Sequence, residues 1–143
     1  MIQNLNKKHT GFTLVELLVV IAIIGLLSTI VLVSFGPVRN QARDTAIKAN
    51  LSQMRLATEI WYQEQCSAGT CTYVGANGET DYGAAANAVN DASPGSVTAG
   101  FNATMYCMSA NLATNASNHW CIDSNGEMGT KAGVCNTTSF LCP

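Results

Sequence analysis

Three groups of residues in this chain have types and spacings that could carry chemistry. The first is Glu16, the one acid in the apolar stretch from Phe12 to Phe35, with Lys7 and Lys8 ahead of it and a Gly11-Phe12 junction between. A carboxylate inside a bilayer costs about 2.5–3.5 kcal/mol at the midplane on insertion scales, so its presence points to a charge partner. The second is the set of six cysteines, Cys66, Cys71, Cys107, Cys121, Cys135 and Cys142, which can oxidise in pairs or hold a metal. The third is Asp123-Ser124-Asn125-Gly126-Glu127. Its Asp123, Asn125 and Glu127 follow the opening spacing of a calcium loop, without the distal glutamate of an EF-hand. A hairpin turn explains the same residues.

Other chemistry is missing from the pattern. There is no phosphate-cradling P-loop, no dinucleotide fingerprint, no nucleophile elbow and no paired-histidine zinc motif. The histidines are His9 and His119 alone, which argues against a histidine-based triad and against an enzyme. A zinc site is disfavoured because no C-x-x-C occurs and His119 is isolated among candidate ligands.

The elements that must position these residues differ sharply along the chain. Its 143 residues suit one domain with an extension. Only 11% of them are charged, against about 25% in an ordinary soluble domain. Residues 17–35 carry no charge, whereas beyond Tyr62 the chain is rich in Ala, Gly, Asn, Ser and Thr. Extended back to Phe12, the apolar run reaches the roughly 20 residues of a spanning helix. Lys7 and Lys8 before it and Arg39 and Arg43 after it nearly balance the positive-inside rule. A cleaved secretory signal fits poorly, since the run exceeds an h-region of about 7–15 residues. The small-x-small site Ser34-Phe35-Gly36 is also followed by Pro37. For a plain anchor, Glu16 would be pure cost.

Gly11-Phe12-Thr13-Leu14-Val15-Glu16, with basic residues before it and an aliphatic run after it, resembles the signal of type IV pilins and type II secretion pseudopilins. The resemblance covers about residues 7–35. It implies a leader, residues 1–11, removed by a membrane prepilin peptidase between Gly11 and Phe12, with His9 in the leader. Phe12 would then be N-methylated. It further implies that Glu16 meets the cationic amine of Phe12 of a neighbouring subunit in a filament. Unpaired, either charge would be expensive in an apolar surround, so the pair would specify assembly register.

On this reading residues 12–36 form the transmembrane and filament-core helix, and residues 37–62 continue it as an amphipathic stalk. Ile47, Leu51, Met54, Ala57 and Trp61 recur at steps of four, three, three and four, which is one helical face suited to a core. Pro37 removes the hydrogen bond to Val33 and should kink or loosen the helix. Residues 63–143 form a small head, expected to be stapled by three disulfides if it lies outside the cytoplasm. Two short strands, at residues 104–112 and 119–126, make Cys107–Cys121 the expected hairpin bridge. Cys66–Cys71 and Cys135–Cys142 complete a neighbour pairing. The stretch 75–100 reads as a surface loop with a short helix near residues 84–90.

The expected fold is therefore α+β: a long amino-terminal helix on a small antiparallel, disulfide-stapled sheet. The expected role is a structural subunit of a type IV pilus or similar filament, for adhesion, motility or DNA uptake. The alternatives are a secretion pseudopilin and a membrane-anchored binding module. Its partners would be copies of itself and other pilins, the prepilin peptidase, the inner-membrane assembly machinery and the membrane. The subunit would start in the inner membrane and end in a surface or periplasmic filament. No cofactor is expected, although calcium-binding pseudopilins keep Asp123, Asn125 and Glu127 in view. After Tyr62 one lysine stands against six acids, which argues against nucleic-acid binding by the head.

Overall fold

The computed structural model describes residues 11–143, the side chains of residues 32–34 excepted. Lys7, Lys8 and His9 of the expected leader lie outside the described residues. The chain divides into two compact units between Gly36 and Pro37. Helix α1, Leu14–Ser67, includes Pro37. In the first unit, the stretch Leu14–Val31 has a mean hydropathy of 2.8 and none of it is buried. Its two hydroxyls are turned back onto the helix: Ser28 Oγ donates to the Ile24 carbonyl at 2.7 Å and Thr29 Oγ1 to that of Leu26 at 2.8 Å. A polar group satisfied in this way can sit in lipid at little cost.

The second unit is built on the other half of α1. Ile47, Leu51 and Met54 are wholly buried and Ala57 nearly so. They form one cluster with Tyr82, Ala85 and Val89 of helix α2 (Thr80–Ala92) and with Tyr106, Met108, Ala110 and Ile122 of the sheet. Trp61, at the end of the apolar stripe, is half-buried. It packs against Gly75, where a Cβ would lie 3.1 Å from its ring. Gly75 also has a φ of 96°, so the position needs glycine twice over.

The stretch 75–100, expected as a surface loop with a short helix near residues 84–90, is corrected in extent: the helix is there but runs as α2 over half of the stretch, and a strand begins at Thr98. The physical reason was present in the residues. Five alanines make this segment inexpensive to wind, and Tyr82, Ala85 and Val89, three and four apart, give it a face to bury.

The sheet is an antiparallel meander of β1 (Thr98–Phe101), β2 (Tyr106–Asn111), β3 (His119–Asp123) and β4 (Met128–Lys131), in chain order. Alternation divides it into two faces. Tyr106, Met108, Ala110 and Ile122 face the helices, while Cys107 and Cys121 form a second buried cluster with Cys135. The carboxyl-terminal segment covers this second face. The Cys135 amide donates to Ser109 Oγ at 2.9 Å, and the Cys142 amide donates to Asp123 Oδ2 at 3.0 Å. At Gly100 a Cβ would lie 3.1 Å from Thr137 Cα, so the tail approaches β1 more closely than a side chain permits.

The disulfides are Cys66–Cys71, Cys107–Cys135 and Cys121–Cys142. The expected bridges Cys107–Cys121 and Cys135–Cys142 are therefore corrected. In the β2–β3 register Cys107 stands opposite Asp123, and Cys121 opposite Ser109. The two cysteines share a face but are diagonal neighbours, about 7–8 Å apart and beyond bridging distance. Each instead meets a tail cysteine at a Cα separation of 5.8 Å. Closing loops of this length contributes about 3–4 kcal/mol per bridge in the chain-entropy account.

Candidate processing and assembly site

Gly11, Phe12 and Thr13 precede the first turn of α1 and have no regular structure. Among the described residues nothing lies within 4 Å of where a Gly11 Cβ would stand, and Phe12 is 81% exposed. None of the described residues covers the Gly11-Phe12 bond. The helix begins immediately after it, and its start is fixed by two side chains. Thr13 Oγ1 accepts the Glu16 amide at 3.3 Å, while Glu16 Oε2 accepts the Thr13 amide at 2.9 Å and the Thr13 hydroxyl at 2.8 Å. This reciprocal arrangement is a capping box, which satisfies amides left without partners at a helix start. The carboxylate also sits in the first turn, where the helix dipole favours negative charge.

Within one chain, then, Glu16 is engaged by Thr13. Its role as a cap was legible in T-x-x-E before an apolar run, the sequence signature of a capping box. The carboxylate is fully exposed to whatever surrounds the helix, so a neighbour's amine has access to it.

The calcium candidates lie in the β3–β4 turn and are occupied differently from one another. Asp123 is buried; its Oδ1 accepts the Asn125 amide at 3.0 Å and the Glu127 amide at 3.1 Å. The Glu127 carboxylate instead accepts Lys131 Nζ at 2.7 Å. Asp123 thus ties the turn to the tail through Cys142. Among the described residues no three His, Cys, Asp or Glu side chains gather as a metal site.

Two further carboxylates in the second unit went unremarked in the sequence. Asp44, buried on α1, accepts the Ala113 amide at 2.5 Å, the Thr114 amide at 3.3 Å and the Thr114 hydroxyl. It thereby fastens the β2–β3 loop to the helix. Glu59 accepts Tyr106 Oη at 2.8 Å and Tyr73 Oη at 3.2 Å. Tyr73 stacks on Tyr62 at 4.3 Å and meets Tyr106 edge-on at 4.9 Å. Burial, and then the charge of Glu59, pushes the Tyr73 phenol up to about 12. No local sequence signal connects residues this far apart in the chain, which is why they were missed.

Comparison with known proteins finds one family model and a relative that this chain resembles. Residues 6–32 match the prokaryotic N-terminal methylation motif. The chain is 31% identical over 64 residues to the type IV major pilin protein PilA of Myxococcus xanthus. That stretch covers 45% of this chain and 29% of the relative. No solved structure matches the chain significantly.

Proposed function

We propose that this chain, whose methylation motif and similarity to a major pilin support the type IV pilin family, is a structural subunit of a pilus-type filament. The observation that carries the reading is the pairing of a Gly11-Phe12 junction with a capped, wholly unburied apolar helix. Such a helix needs lipid before assembly and other protein after it. In the proposed sequence a prepilin peptidase of the inner membrane cuts between Gly11 and Phe12, removing Lys7 and Lys8. Phe12 gains a methylated, cationic amine four residues ahead of Glu16. The capping box holds that carboxylate at the helix start. A neighbour's Phe12 amine then pairs with it when helices leave the membrane for the filament core. The role is structural, with no catalytic residue assigned.

Similarity to a major pilin favours a pilus over a secretion pseudopilin. The decisive experiment is electron microscopy of sheared surface material, with peptide mass spectrometry of the filaments. Filaments rich in this chain are expected. The chain found solely as a membrane-bound monomer, with no filament containing it, would overturn the reading.

A further inference from the structure

Two surfaces after Gly36 carry opposite charge, and each keeps exposed charges without an ion pair in the chain. Between Pro37 and Arg55 the cations are Arg39, Arg43, Lys48 and Arg55, and the sole acid is Asp44, which is buried against loop amides. Lys48 sits 4.8 Å over the Trp120 ring, and the Arg55 charge lies close to Tyr106. Arg39 and Arg43 are exposed and have no ion pair; among the described residues the ion pair is Lys131–Glu127. From Leu56 to Ala92 the charges are all acidic. Glu59 is held by two tyrosines, whereas Glu64 and Asp81 are exposed and unpaired.

Linking these surfaces is a face of α1 without charge. Val38, Ala42, Ala49, Leu56 and Ile60 lie opposite the buried Ile47–Leu51–Met54 stripe and are all exposed. Thr45 and Ser52 on the same face return their hydroxyls to the Gln41 and Lys48 carbonyls, so the Gln53 amide at its edge is the polar group left exposed beside the groove. Leu56, Ala57 and Ile60 also line a groove with Ala84, Ala85 and Asp81 of α2, in which Asp81 is the one charged residue. Small and aliphatic residues allow helices to approach closely, and an exposed apolar strip of this kind marks an interaction surface.

We propose that the occupant of this surface is a second copy of the chain, parallel and axially staggered. The Arg39–Arg43 stretch of one copy would lie by the α1–α2 groove of the next, near Glu64 and Asp81. The proposal rests on the filament reading, which makes copies parallel because each enters the same membrane through the same helix. Parallel copies at one level would set arginine beside arginine and acid beside acid. A shift of about 20–30 Å, the rise of 13 to 21 helical residues, replaces that repulsion with attraction. Each copy then gives one surface and receives on another, a heterologous contact that repeats without closing.

Three full-length variants test this: R39E/R43E, E64K/D81K, and the fourfold combination, each replacing the wild-type chain in its own cells. Like-charge contact should lower the yield of sheared filaments by about tenfold or more in each double variant, with recovery to within about twofold in the combination. Non-reducing disulfide maps identical to wild type establish that the heads fold. The arginines flank the apolar segment, but the combination carries the same reversal, so recovery cannot come from altered insertion. Wild-type yield from either double variant, or no recovery in the combination, would overturn the staggered contact while leaving the filament reading intact. A wild-type strain without filaments would overturn both.

Discussion

Glu16 has two duties that a pair of substitutions separates. Glutamine preserves the hydrogen bond of a capping box, whereas alanine removes it along with the charge. Loss of a cap costs about 1 kcal/mol. Leaving one charge of a buried pair unmatched costs about 3–5 kcal/mol. Both Glu16→Gln and Glu16→Ala should be cut and inserted, because the carboxylate lies away from the Gly11-Phe12 bond and lipid accepts the neutral helix more readily. Both should then accumulate as processed membrane monomer, with few filaments by electron microscopy. Wild-type filament yield from Glu16→Gln alongside failure of Glu16→Ala would mean that the cap matters and the charge does not.

At the scale of elements, α1 is fastened to the head by side chains whose titration is measurable. Tyr73 and Tyr82 hold their protons up to about 12, and burial is the leading cause in both. Tyr106 is raised as well, by burial and its hydrogen bond to Glu59. An unfolded tyrosine loses its proton near 10. Below about pH 10 the contribution of these phenols is fully present. Between about pH 10 and pH 12 the unfolded chain releases protons that the folded head retains, so stability must fall across that window. Thermal unfolding of the soluble head, followed by circular dichroism, should show the midpoint dropping there, with a smaller drop in Tyr73→Phe. A midpoint flat through the window would contradict this account of the clamp. The stripe Ile47, Leu51, Met54 and Ala57 was legible because helical periodicity is local, and so was the Cys107/Cys121 pair of strands. A helix near residues 84–90 was legible, but the full length of α2 was obscured by the glycines and asparagines around it, which read as loop until Tyr82, Ala85 and Val89 are placed on one face. Asp44 and Glu59 were beyond reach, since their partners are set by tertiary approach.

For the whole molecule, the tail is structural rather than loose: it lies over the second face of the sheet and is bonded to it twice, through Cys107–Cys135 and Cys121–Cys142. Peptide mapping of exported protein without reduction should recover those two linkages and Cys66–Cys71, with no alkylation of unreduced cysteines. Recovery of Cys107 joined to Cys121 would refute the arrangement of the tail. Loss of either sheet-to-tail bridge should cost about 2–5 kcal/mol and deplete surface protein. The cysteine positions announced a stapled head, but only the strand register decided which sulfurs meet. At the other end of the chain the Gly11-Phe12 bond precedes a capped apolar helix, and cutting there is tested by the intact mass and amino-terminal sequence of the chain recovered from sheared filaments. A single species beginning at N-methylated Phe12 is the predicted result. A chain that retains Met1, or begins at any residue other than Phe12, would contradict it.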